Sequence, residues 1–205
     1  MSVARRTPGP RTPPNPWGFH RLTPDAARRI VRRAGVRAGD LVLDLGAGHG
    51  ALTAALVDAG ARVIAVELHP ERLATLRERF ADAPVTVVRA DIATVRLPRR
   101  PFRVVANPPW AIADTVRAHL LRSPHLVRAD LVLPRWIARR WARSSAAVAL
   151  GLSLRAESFV PRAPMGGTVA VLLGPGAARR TRPVTRRGRP KRAGPGGRQV
   201  SSGTR

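Results

Sequence analysis

The sequence predicts an α/β domain: a seven-stranded, mostly parallel sheet with helices on both faces, in a Rossmann-like arrangement. Three observations carry that expectation. Short apolar runs alternate with segments of helical periodicity between about Leu41 and Leu173. The first of these runs, Leu41-Val42-Leu43-Asp44-Leu45, breaks off into a glycine-rich turn. The next, Val63-Ile64-Ala65-Val66, ends in an acid, Glu67.

Taken from the N-terminus, residues 1–16 carry Pro8, Pro10, Pro13, Pro14 and Pro16, which deny the backbone donors that a helix or central strand needs. This segment is expected to be a basic, mobile arm, with one globular domain over residues 17–174. Thr23-Pro24 supplies an N-cap and a proline for the first turn. Ala26, Ala27, Ile30, Val31 and Ala34 then recur at helical spacing up to Gly35, which predicts a helix over 24–34.

Strand, turn and helix follow at 41–45, 46–50 and 51–59, then strand 62–67, helix 70–80 and strand 85–89. A linker through Pro98 and Pro101 leads to a strand at 102–106. A helix over 112–121, a strand at 129–133 and a strongly basic helix over 134–144 come next. Runs at 147–154 and 168–173 complete the seven strands. From residue 175 to 205 the chain is Gly, Pro, Arg, Ser and Thr with almost no large apolar residue, so it is expected to remain an unfolded basic tail.

The composition bounds the partners. Lys and Arg number 37 against 12 acids, a formal net charge of +25, which points to a polyanion. Arginine, with its planar fork of donors, suits phosphate. The helix carrying Arg135, Arg139, Arg140 and Arg143 and the tail with Arg179, Arg180 and Arg182 are the candidate contacts to that polyanion, although arginines on a helix face also serve as plain solvated charge. No cysteine is present, so disulfides and thiolate metal sites are excluded. The five histidines show no metal-ligand spacing, and no metal is expected. Without an apolar h-region or spanning segment, the chain is expected to be cytoplasmic, without membrane contact, and monomeric.

Two motifs carry chemistry. In Asp44-Leu45-Gly46-Ala47-Gly48-His49-Gly50 the glycines let a nucleotide approach the backbone at the end of the first strand, and Glu67 stands where an acid can accept both ribose hydroxyls. The G-x-G-x-G spacing after an acid resembles motif I of class I methyltransferases rather than a dinucleotide site. Asp91, after the third strand, is placed to accept from an adenine amine, and Ile92 follows it. An ordinary strand-to-helix turn and a loop-start cap are the plainer readings of these residues.

The sharper motif is Asn107-Pro108-Pro109-Trp110, directly after Val104-Val105-Ala106. An aromatic amine such as adenine N6 is a poor nucleophile because its lone pair is delocalised into the ring. Acceptors aimed at its N–H groups favour the localised form. The Asn107 side-chain oxygen and the Pro108 carbonyl can serve, with prolines that add no competing donor. Trp110 offers a face on which an extruded base stacks.

These residues, with Val66-Glu67-Leu68-His69-Pro70 and Phe159-Val160-Pro161-Arg162-Ala163-Pro164, resemble the ribosomal RNA adenine-N6 methyltransferases, and within them the Erm group acting on 23S ribosomal RNA. The resemblance covers residues 17–173. It implies a class I methyltransferase fold, S-adenosyl-L-methionine as cofactor, 23S ribosomal RNA as partner and resistance to macrolide-type antibiotics.

By residue, the resemblance implies catalysis by Asn107, Pro108, Trp110 and Phe159, with Phe159 on the target base opposite Trp110. Unaided, Phe159 reads equally well as core. The cofactor set would be Phe19, His20, Leu22, Asp44, Gly46, Gly48, Glu67, Leu68, Asp91, Ile92 and Asn107. The chain departs from the family in carrying Trp17-Gly18-Phe19-His20-Arg21-Leu22 where a Gln-Asn-Phe segment is usual, and Trp110 where tyrosine is usual. It is expected to be a short form without the helical C-terminal domain. The competing readings are a DNA adenine methyltransferase, a non-catalytic RNA-binding protein on a degenerate core and, more remotely, a nicotinamide-dependent oxidoreductase.

Overall fold

The computed structural model describes residues 20–177. The expected arm, Phe19 and the tail arginines Arg179, Arg180 and Arg182 lie outside the described residues. In chain order the elements are β1 (Arg21–Leu22), α1 (Pro24–Ala34), β2 (Leu41–Leu45), α2 (Ala51–Asp58), β3 (Arg62–Glu67), α3 (Pro70–Arg79), β4 (Val85–Arg89) and β5 (Phe102–Ala106). After a 3-10 turn at Trp110–Ile112 come α4 (Ala113–Leu121), β6 (Leu126–Pro134), α5 (Arg135–Ser144), β7 (Val148–Leu154), β8 (Phe159–Val160) and β9 (Gly167–Leu173).

The main sheet has the order β4-β3-β2-β5-β6-β9-β7, and β9 alone runs against the other six. The expected seven-stranded, mostly parallel sheet of a class I methyltransferase is therefore present. Its central strands are buried on both faces, so they read as continuous apolar runs. Leu43, Val104 and Leu131 face a core shared with α4 and α5, while their neighbours Val42, Val105 and Val132 face one shared with α1 and α2.

Helix α1 starts where the Thr23 hydroxyl accepts from the Ala26 N–H at 3.3 Å and stops at Gly35, whose φ of 64° is left-handed. Arg103, buried within β5, donates to the carbonyls of Ala34 and Gly35 and to Asp40, satisfying the orphan acceptors at that helix end.

Three departures from the sequence reading bear on the site. Pro134 closes β6 instead of opening α5, pairing with Gly167 at the last rung of the ladder. The helix expected from Ile112 begins at Ala113, because Trp110–Ile112 forms a separate 3-10 turn. A second sheet, of two short strands, pairs β1 with β8, setting Leu22 opposite Phe159 and Arg21 opposite Val160.

Candidate active site

The chain runs outward from β2 to β3 and β4, then crosses back to β5 on the other side of β2. At such a switch point the loops after β2 and β5 part and leave a crevice at the strand ends. Both chemistry-bearing motifs sit on those two loops.

After β2, Gly46, Gly48 and Gly50 take φ values of 75°, 58° and 80°, which disfavour any side chain. A Cβ on Gly50 would also lie 2.6 Å from the Phe80 ring. Gly46 and Ala47 donate their N–H groups to the Val66 carbonyl at 2.9 and 3.0 Å. Glu67, only 6% exposed, completes the clamp. One carboxylate oxygen accepts from the Gly48 N–H at 2.8 Å, and the other from the N–H groups of Leu68 and His69, each at 2.9 Å.

A cleft of about 340 Å³ opens beside this clamp, lined by Gly46, Glu67, Leu68, Asp91, Ile92 and Pro109 among others. Five of the residues expected at the cofactor thus share one cleft. Asp91 is exposed and holds its loop through one oxygen, which accepts from the Ala93 N–H at 2.8 Å. A carboxylate has about four acceptor positions. Glu67 spends three on the loop and Asp91 one, so both can still receive ligand donors.

A smaller cavity of about 30 Å³ adjoins it through Gly46 and is lined by Leu22, Asp44 and Asn107 as well. Asp44 is 1% exposed, and the Thr53 hydroxyl donates to it at 2.7 Å. Burial pushes its carboxyl up to about 7, against the lowering effect of the Thr53 bonds. Gly48 lines neither space and acts through Glu67.

Asn107 follows the last residue of β5. Its Nδ2 donates to the His20 carbonyl at 2.7 Å. That bond turns Oδ1 the other way, where it is buried without a hydrogen-bond partner. An unmade bond on a buried acceptor costs about 1–3 kcal/mol, so this oxygen is prepared for a donor that arrives from elsewhere. The Pro109 carbonyl accepts from the Ile112 N–H at 3.2 Å and rigidifies the loop.

Trp110 is partly exposed, with the His20 ring 5.3 Å away and tilted by 32°. Phe159 stands edge-on to it at 6.4 Å. In the structure the two rings meet edge to face, and not as two parallel faces. Phe159 is 2% exposed and packs in the core with Leu22, its β1 partner, and with Val132 and Val169. Its ring reaches Trp110 from that core. His20 is the nearer ring to Trp110, a contact that no periodicity in the sequence announces.

On α5, Arg135, Arg139 and Arg143 are exposed. Arg140 differs: it is ion-paired with Asp114, which also accepts from the Trp141 Nε1 at 2.7 Å. Its guanidinium is therefore partly committed to that carboxylate. Among the described residues no group of three potential ligands stands together to hold a metal ion, and no helix is long and apolar enough to cross a membrane.

Comparison with known proteins accords with this geometry. Among curated proteins, the chain is 43% identical over 116 residues to the ribosomal RNA small subunit methyltransferase A of Leifsonia xyli, covering 53% of this chain and 41% of that protein. It is 40% identical over 146 residues to the enzyme of the same name from Rhodococcus opacus, covering 66% and 49%. The chain thus spans less than half the length of these relatives. Among solved structures, the 23S rRNA methyltransferase ErmE superposes with a TM-score of 0.68 at 26% identity, covering 76% of this chain and 69% of that one. A dimethyladenosine transferase from Plasmodium falciparum shares the fold, at a TM-score of 0.65 and 20% identity. The family model described as ribosomal RNA adenine dimethylase matches residues 22–160, and the chain belongs to that family.

Proposed function

We propose that the protein transfers a methyl group from S-adenosyl-L-methionine to N6 of an adenine in 23S ribosomal RNA. The observation that carries the chemistry is the buried, unpartnered Oδ1 of Asn107, aimed away from His20 at the end of β5. Glu67 would receive the ribose hydroxyls, Asp91 the cofactor's adenine amine, and Leu68 and Ile92 the faces of that adenine. The sulfonium supplies the electrophilic methyl.

The remaining work falls to the chain. Asn107 Oδ1 and the Pro108 carbonyl accept from the two N6 hydrogens, which localises the nitrogen lone pair toward the methyl. The new N–C bond forms as the S–C bond breaks, leaving a neutral thioether, and N6 sheds its extra proton to solvent. No strong base is required for that loss, because an alkylated aromatic ammonium is acidic. Trp110 would hold the extruded base by stacking, and the arginines of α5, with those of the N-terminal arm and residues 175–205, would hold the backbone. Residues 17–174 form the methyltransferase domain in this reading.

The choice of 23S ribosomal RNA, and with it resistance to macrolide-type antibiotics, draws on the motif resemblance and the likeness to ErmE. The 40–43% identity to small-subunit enzymes favours a second reading, in which the adenine lies in small-subunit ribosomal RNA. Transfer of labelled methyl to each purified, protein-free rRNA, with primer extension to locate the product, decides between them. Label on neither RNA despite cofactor binding would overturn both.

A further inference from the structure

We infer that Trp136 is a second stacking platform, which holds an unpaired nucleotide of the RNA strand flanking the target adenine; this rests on the RNA reading above. Helix α5 buries Ile137, Ala138 and Trp141 and turns its other side outward. On that outer side Trp136 is 58% exposed, although indole is a costly group to leave in water. A cleft of about 640 Å³ surrounds it, lined by Arg135, Arg139, Arg140, Arg143, Ser144 and the half-exposed Met165. No acid lines the cleft.

Its position suits the strand that carries the target. Helix α5 leaves the C-terminal end of β6, the neighbour of β5, and so starts at the same sheet edge as Asn107. Asp114, in the first turn of α4 just beyond Trp110–Ile112, is bonded to both Arg140 and Trp141. Arg140, which lines the cleft, is therefore tied to the helix that follows the turn presenting Trp110.

The occupant follows from the chemistry. Arg135 to Arg143 spans about 12 Å of helix, room for more than one phosphate. The Arg140 guanidinium lies 5.6 Å from the Trp136 ring centroid, so cation and aromatic face form one surface. Interleaved arginine and indole match a backbone phosphate beside an unstacked base. Four arginines and no acid among the lining residues favour an occupant that carries phosphate.

The test uses the full chain and a short single-stranded oligoribonucleotide, titrated by fluorescence anisotropy, with a duplex of the same sequence alongside. Trp136→Ala is expected to weaken single-strand binding about 5- to 100-fold. Duplex binding should barely change, and Trp136→Phe should recover most of the loss. The slope of log K against log salt should be unaltered in Trp136→Ala but shallower by about 0.7 in Arg139→Gln. In methyl transfer to rRNA, KM should rise while kcat is retained.

Single-strand binding by Trp136→Ala within twofold of the parent, or equal losses on strand and duplex, would overturn the proposal. So would a change in the protein's own sedimentation on Trp136→Ala, which would assign the face to self-association. A parent protein that binds the strand with the Trp136 dependence but transfers no methyl removes the enzymatic reading alone. One that methylates rRNA indifferently to Trp136 removes the second platform alone.

Discussion

Replacing Asn107 with alanine separates catalysis from scaffolding, because the two ends of this amide do different things. Oδ1 is the buried oxygen without a partner, and Nδ2 makes the 2.7 Å bond to the His20 carbonyl. Losing one preorganised dipole from a reacting centre lowers turnover about 10²- to 10³-fold, or about 3–4 kcal/mol of barrier. Losing the bond to His20 costs about 0.5–1.5 kcal/mol of stability. The two figures differ enough to be read apart. Cofactor affinity should fall far less than turnover, since Glu67, Asp91 and Ile92 line the larger cleft and Asn107 does not. Single-turnover methyl transfer at saturating cofactor and rRNA measures the first effect, urea unfolding the second and calorimetry the third. Turnover within about threefold of the parent would refute the assigned role of Oδ1, because the expected loss is at least about 10². So would a loss that extra cofactor fully restores.

Glu67→Gln should turn an NH₂ group toward either the Gly48 N–H or the Leu68 and His69 pair, costing about 1–3 kcal/mol in urea unfolding. Calorimetry should show weaker cofactor binding as well. Burial raises the Asp44 carboxyl from 3.8 to about 7, so its favourable contribution is full below the ordinary value and is lost as pH climbs through about 7. Thr53→Val removes a donor that favours the ionised form and should raise that value further. It should therefore cost about 1.5–3 kcal/mol near pH 8 and only about 0.5–1.5 near pH 5; equal losses by urea unfolding at the two pH values would contradict this. Gly50→Ala combines a φ of 80° with a Cβ 2.6 Å from Phe80. It should destabilise by about 2–5 kcal/mol, visible as a lower Tm.

The main sheet was legible because its central strands are buried on both faces. Leu41–Leu45, Arg62–Glu67, Val85–Arg89 and Phe102–Ala106 are strands with the limits expected from their apolar runs. Strand β6 was read short, at Ala129–Leu133, because Arg128 interrupts its apolar pattern. In the structure Arg128 is neutralised two residues along on the same face by Asp130, with contacts of 2.7 and 2.6 Å, and the strand starts at Leu126. The pairing of β1 with β8 was not legible. Strands of two residues have no periodicity to detect, and their register is set by tertiary packing of Leu22 and Phe159. The motif that singles out Phe159 does not say how deeply its ring is buried, which depends on Leu22, Val132 and Val169 brought to it by the fold.

That short pairing also explains how the site tolerates an unusual N-terminal segment. The chain has His20-Arg21-Leu22 where the family it resembles usually carries Gln-Asn-Phe nearby. What orients Asn107, however, is the backbone carbonyl of His20, and a carbonyl is independent of the side chain attached to it. Its position is set by β1, held against β8, and by the Thr23 N–H, which donates to the Ser158 carbonyl at 2.9 Å. A flipped Asn107 amide would set oxygen against oxygen, so the acceptor has one favourable orientation. The requirement on the N-terminal segment is thus a path for the backbone, which Leu22 secures by burying its side chain beside Phe159. Side-chain identity at position 20 is left to a separate task, the surface presented beside Trp110.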